Sequence, residues 1–168
     1  MVIIEGIRYL DCDDLIQCNK AALKCTPKER HVVNRVKLEG AQSRPSIYKY
    51  YEQCGDVFIL AACLFISINK AHAFENANKR TGFLASQVFL QINGYIFSPK
   101  LEDTLHIAEQ VAIGDRDHND PVLLSSWFKS YSSLLEDSQK AECLGEQTDC
   151  YSDLSPDEPI RLTLRNEP

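Results

Sequence analysis

Residues 72 to 82 read HAFENANKRTG, and this one run holds both a proton acceptor and a cluster of anion-binding groups. The imidazole of His72 can take a proton from an alcohol or return one. Asn78 offers amide donors, and Lys79 and Arg80 offer positive charge. Lys70 adds a cation just before the histidine. Small Ala77 lets an anion approach the backbone, and Phe74 is an apolar anchor for the run. A base beside a phosphate cradle suits one reaction type, in which a hydroxyl is deprotonated and its oxygen attacks phosphorus. Taken singly, these residue types also furnish ordinary loops and solvated helix faces, so the elements around them decide their meaning.

Those elements read as helices. The apolar run VFILAACLFISI, from Val57 to Ile68, predicts a buried core helix opening after Asp56, too short to cross a bilayer. His72 then lies on the loop that leaves it. A following helix opens at Asn78, carries Leu84, Val88 and Ile92 on one stripe, and stops at Asn93-Gly94. The start of a helix presents unpaired N–H groups and a partial positive charge, so the backbone from Asn76 onward joins Asn78, Lys79 and Arg80 as a place for phosphate.

Upstream, Asp11 can cap a first helix with Leu15, Cys18 and Ala22 on one face. Thr26-Pro27-Lys28-Glu29 has the pattern of a capping box with proline at the first helical position, which predicts a second helix that Gly40 ends or interrupts. Ser43 to Gly55, rich in tyrosine and holding Pro45, reads as a non-helical connection. Downstream, Leu101 to Ile113 with Gly114 as its stop predicts a helix. Asp120-Pro121 caps a last one carrying Leu124, Trp127, Phe128, Tyr131 and Leu135. Residues 1 to 135 contain no convincing strand pattern, and the expected fold class is all-α.

The 168 residues suffice for one domain with a real core, and 44% hydrophobic with 25% charged residues is the balance of a globular protein. The seven cysteines form no CxxC pair, so neither a zinc site nor a disulfide framework is indicated. The N-terminal stretch MVIIEGIRYLDCDD is too short and acidic for a secretory signal. A reducing cytoplasm is the expected setting, with no membrane and no direct nucleic-acid role. Charge marks a boundary near Glu136: residues 136 to 168 hold nine acids against three bases, a balance of −6 that equals the charge of the whole chain. A folded body over 1–135 and an acidic, flexible tail over 136–168 follow. Within the tail, PIRLTLR (Pro159 to Arg165) alternates in the manner of a strand.

The run HAFENANKR resembles the central motif of the Fic/Doc family, H-x-F-x-[D/E]-[A/G]-N-[K/G]-R. Other segments share the resemblance: YLDCDDLIQCNKAAL is similar to the family's first helix, LEGAQSRP to its L-x-x-A-x-x-R-P segment, and FLASQVFLQINGY to the helix and turn after the motif. It covers roughly residues 1 to 135. Adenylylating members usually carry Gly where this chain has Lys79 and a second Arg where it has Phe83. Asn-Lys-Arg, with a basic residue at Lys70, resembles the Doc (death-on-curing) branch instead.

That resemblance implies a compact helical bundle with a short flap, for which Ser43 to Gly55 is the candidate. It implies a toxin, restrained by an antitoxin partner, that uses ATP and Mg²⁺ to phosphorylate a protein hydroxyl, translation elongation factor Tu being the target in the family. His72 would be the general base. Ala77, Asn78, Lys79 and Arg80 would hold the phosphates, with Lys70 assisting nucleotide or target and Phe74 anchoring the loop. The departure is Asn76, where the family places a metal-binding Asp or Glu. A neutral amide oxygen is a weak Mg²⁺ ligand, and Glu75 points about 100° away from it if the two are helical. Adenylyl transfer, and a non-catalytic helical binding protein that lost its metal carboxylate, are the alternatives. No self-inhibitory [S/T]-x-x-x-E-[G/N] segment fits: RVKLEG begins with Arg35, and TLRNEP ends with Pro168.

Overall fold

Capping carboxylates and one apolar run establish the frame. The computed structural model describes residues 1–24, 26 and 28–135. Asp11 opens α1 (Cys12–Leu23) as expected: its carboxylate accepts the N–H groups of Asp13 and Asp14, and Asp14 returns a bond to the Asp11 N–H. Such a cap satisfies donors that the first turn leaves unpaired and is typically worth ~1 kcal/mol. Leu15, Cys18 and Ala22 go into the core.

The remaining helices are α2 (Arg35–Gln42), α3 (Arg44–Glu52), α4 (Val57–Ala71), α5 (Asn78–Ile92), α6 (Leu101–Ile113) and α7 (Pro121–Ser130). Asp56 caps α4 through the Phe58 N–H at 2.8 Å, and Asp120 caps α7 through the Val122 N–H at 2.8 Å. Gly114, at φ +86°, ends α6. Helix α4 is the centre of the bundle and packs against α2, α3, α5, α6 and α7. Its Leu60, Ala61, Ala62, Leu64, Phe65 and Ile68 are buried, which is why the run is apolar on nearly every side. Each large side chain so buried contributes roughly 1.5–3 kcal/mol.

The approach of α5 to α4 is fixed at one glycine. A Cβ on Gly82 would stand 2.6 Å from the Nδ2 of Asn69 and 3.4 Å from the Phe65 carbonyl oxygen. Asn69 is itself buried and donates to that carbonyl at 2.8 Å. The helix that opens at the motif is thereby seated against the helix that precedes it.

Three expectations are corrected. Thr26 to Glu29 does not open a helix; α2 begins at Arg35, with the Asn34 side chain accepting the Lys37 N–H at 3.1 Å. The Thr26 hydroxyl bonds the Glu29 carboxylate at 2.9 Å, as in a capping box, but the chain turns instead, because that carboxylate also binds Arg80. Ser43 to Gly55 is not a non-helical connection but contains α3, with Pro45 in the first turn, where no amide hydrogen is required, and Gln53 ending it at φ +50°. Gly40 neither ends nor interrupts α2.

Short strands are present as well. β1 (Val2–Ile4) and β2 (Ile7–Tyr9) pair antiparallel around Glu5 and Gly6, both at positive φ, as a two-residue hairpin requires. β3 (Tyr95–Phe97) pairs antiparallel with β4 (Ser132–Leu134) and ties the end of α5 to the end of α7. These strands leave the all-α class unchanged. The expected tail, with its strand-like PIRLTLR, lies outside the described residues.

Candidate active site

The motif loop is held between two residues in the left-handed conformation. His72 caps the end of α4 at φ 45°, ψ 47°, and Ala77 precedes α5 at φ 62°, ψ 24°. Neither is glycine, and this conformation costs a non-glycine residue roughly 1–2 kcal/mol. It persists only where surrounding contacts impose it. Here Phe74 is buried, and its backbone is gripped at both ends by the side chain of Asn78. The Phe74 N–H donates to Asn78 Oδ1 at 3.0 Å, and Asn78 Nδ2 donates to the Phe74 carbonyl at 2.7 Å. The Asn78 amide therefore closes the loop, and what it presents outward is its backbone N–H.

A second segment straps the loop from outside. The Asn34 N–H donates to the Ala73 carbonyl at 2.7 Å and the Glu75 N–H to the Val32 carbonyl at 3.0 Å, with Val33 and Phe74 bridged antiparallel. Asn76 Nδ2 donates to the Arg30 carbonyl at 3.2 Å. Underneath, the fully buried Asn19 of α1 reaches the backbone carbonyl of Asn76 and the hydroxyl of Thr81. His31 on the strap meets the same Asn19 at 2.6 Å. Sequence reading missed Asn19, Glu29 and His31. A signal for Asn19 existed: it is a polar residue on the α1 stripe that carries Leu15, Cys18 and Ala22.

The charged groups divide into committed and available ones. Arg80 lies across the end of α1: one nitrogen donates to the Ala22 carbonyl at 2.9 Å and the Thr26 hydroxyl at 3.0 Å, and the other pairs with Glu29. The Thr26 hydroxyl and the Arg80 guanidinium hold the Glu29 carboxyl below its ordinary range. Lys79 and Lys70 are exposed, and neither bonds a described residue. His72 is exposed on the same terms. The first intrahelical bond of α5 runs from the Thr81 N–H to the Ala77 carbonyl at 2.8 Å, so the N–H groups of Asn78, Lys79 and Arg80 have no helical acceptor. A groove of about 750 Å³ adjoins the loop between α2, α3 and α4, with Lys70 and Ala71 at its rim and Tyr48 and Tyr51 along it.

A resident magnesium ion does not fit this donor set. Position 76 supplies a neutral amide whose NH₂ is spent on Arg30, and the nearby Glu29 carboxylate is occupied by Arg80. Among the described residues, no group of three or more His, Cys, Asp or Glu is arranged to hold a metal. Mg²⁺ is bound through hard anionic oxygens, and this site's own residues offer mainly cations and N–H groups.

The geometry is thus a proton acceptor beside an unpaired helix start. A model of the Fic/DOC family matches residues 9–90. The Fic/DOC match runs from the end of the hairpin through nearly all of α5 and takes in the strap, the groove helices and the motif loop. No curated protein matches the chain. Domains of the Fic/DOC family are typically transferases that use ATP and a divalent metal, act on protein targets and commonly occur in toxin–antitoxin pairs. No helix among the described residues of this Fic/DOC-like chain is long and apolar enough to cross a membrane.

Proposed function

We propose that the protein is a Doc-like toxin that transfers phosphate from ATP to a hydroxyl of a protein target and is restrained by an antitoxin in the cytoplasm. The observation that carries this reading is one closed loop with an exposed histidine at its start and an acceptor-free helical turn at its end. His72 takes the proton of the acceptor hydroxyl while that oxygen attacks the γ-phosphorus. The bond to the bridging oxygen breaks, and the nucleoside diphosphate leaves. The N–H groups of Asn78, Lys79 and Arg80 and the Lys79 ammonium hold the phosphates, a role that needs positioning and charge rather than covalent chemistry. Lys70, at the groove rim, meets the target segment or the nucleotide.

Phosphate rather than AMP transfer is favoured by Lys79 and by Phe83. The ring of Phe83 lies 6.1 Å from that of Phe97, so the position of a second arginine is given to apolar packing. By resemblance the target is elongation factor Tu. A non-catalytic binding protein is the second reading, supported by the amide at Asn76 and by the carboxylate already on Arg80. Incubation with ATP labelled at the γ or the α phosphorus in a cell lysate tests the proposal. Label on a protein from the γ position alone supports phosphate transfer, from the α position adenylyl transfer, and from neither the binding reading.

A further inference from the structure

We propose that Asn19 is a positioning residue that sets the direction of the two backbone N–H groups a phosphate meets first, an inference that deepens the transferase reading and rests on it for its activity readouts. Asn19 is 0% exposed, and its carboxamide is saturated. Nδ2 has two hydrogens; one goes to the Asn76 carbonyl at 3.0 Å and the other to the Thr81 hydroxyl oxygen at 2.9 Å. Thr81 accepts there and donates its own hydrogen to the Ala77 carbonyl at 2.8 Å. The opposite amide orientation would set Oδ1 against the Asn76 carbonyl, acceptor on acceptor, so the assignment is determined by its partners. Oδ1 is left to accept, which makes the Nδ1 of His31, 2.6 Å away, the hydrogen carrier. Each hydrogen in the chain from His31 through Asn19 and Thr81 to Ala77 has a single destination.

Peptide geometry converts this buried chain into a surface property. In a trans peptide the C=O and the following N–H point in opposite directions. Holding the carbonyls of Asn76 and Ala77 toward the interior turns the N–H groups of Ala77 and Asn78 outward. Ala77 is left-handed and Asn78 begins a right-handed helix, so these successive N–H groups converge into a small concave nest of the kind that holds anions. Asn19 also ties the strap to the loop through His31, so one buried amide coordinates both. Its partners are the Asn76 carbonyl, the Thr81 hydroxyl and His31, so it acts through the backbone.

Full-length variants Asn19→Leu, Thr81→Val and Thr81→Ser test the assignment, with inorganic pyrophosphate as the probe and the Ala77 and Asn78 amides followed by NMR. Asn19→Leu should weaken pyrophosphate about tenfold by leaving the Asn76 carbonyl without its donor, and Thr81→Val should do the same by leaving an Asn19 amide hydrogen without its acceptor, although the Ala77 carbonyl keeps the Thr81 N–H. Thr81→Ser should restore the parent affinity. In turnover, the loss should fall on KM for ATP, whereas His72→Ala should lose kcat and keep pyrophosphate binding. Should Asn19→Leu fail to fold, the contrast between the two Thr81 variants decides. Parent-like pyrophosphate affinity in Thr81→Val, or a parent protein whose Ala77 and Asn78 amides do not respond to pyrophosphate, overturns the inference. A parent that binds pyrophosphate through those amides but transfers no label sinks only the transferase reading.

Discussion

Glu29 and Arg80, 51 positions apart, form an ion pair that places a carboxylate of the chain itself on a cation of the motif. Both side chains are partly exposed, so the pair is exchangeable with solvent ions rather than a buried structural bridge. An incoming phosphate competes with Glu29 for Arg80. Glu29→Gln should therefore raise pyrophosphate affinity a few-fold and make it more sensitive to salt, since binding then adds a charge contact instead of exchanging one. The same variant should change the acid limb of stability. Thr26 and Arg80 hold the Glu29 carboxyl below its ordinary value of 4.5 in the folded chain. A depressed folded pKa stabilises above the unfolded value and loses that contribution as pH falls through the folded one. Melting temperature between pH 6 and 3 should fall less steeply in Glu29→Gln than in the parent; parallel curves would mean the pair has no energetic role.

His72→Ala should abolish transfer while leaving the fold in place. The ring is exposed and bonds no described residue, so its removal should change stability by no more than about 0.5 kcal/mol, as at other surface positions. Loss of a general base costs roughly 10²–10⁴ in rate. Transfer assays and thermal melts on the same preparation check both halves; a variant as active as the parent removes His72 from the mechanism.

Gly82→Ala should destabilise the protein by about 1–3 kcal/mol, the usual cost of overpacking a well-filled core. The added methyl meets Asn69 at 2.6 Å, and that amide cannot swing away without leaving the Phe65 carbonyl. Because the clash involves a single partner, Gly82→Ala combined with Asn69→Ala should cost less than the two single changes added together. Additive losses in denaturant melts would show that the helices move apart instead.

Asn76→Asp should make nucleotide affinity respond to magnesium. The parent has an amide there whose NH₂ is spent on Arg30, and its ATP affinity should be nearly the same with Mg²⁺ and with a chelator. The substitution supplies an anionic oxygen at that position and gives up the bond to the Arg30 carbonyl. Calorimetric titrations of both proteins, with and without the metal, decide it: a strongly magnesium-dependent parent contradicts the donor-set argument.

The amino-acid sequence by itself determined the helical frame and the place of the loop in it. Asp11, Asp56 and Asp120-Pro121 act on N–H groups two or three residues away, the Val57–Ile68 run declares its own burial, and HAFENANKR falls between two such helices. All of this is local chemistry. The hairpin around Glu5-Gly6 was not read from the sequence: Ile7 and Tyr9 alternate into the core, but strands of three residues are too short for a period to stand out. Tertiary structure alone decided which acceptor each polar side chain takes. Thr26 and Glu29 have the sequence of a helix cap, yet their oxygens end on Arg80, and the Asn78 amide turns back to Phe74. Asn19 looked like an ordinary helix residue until Asn76 and Thr81, 57 and 62 positions away, were folded onto it. A hydrogen-bonding side chain has several acceptors of similar strength within reach of an unfolded chain, and burial selects the one that leaves no donor or acceptor unpaired.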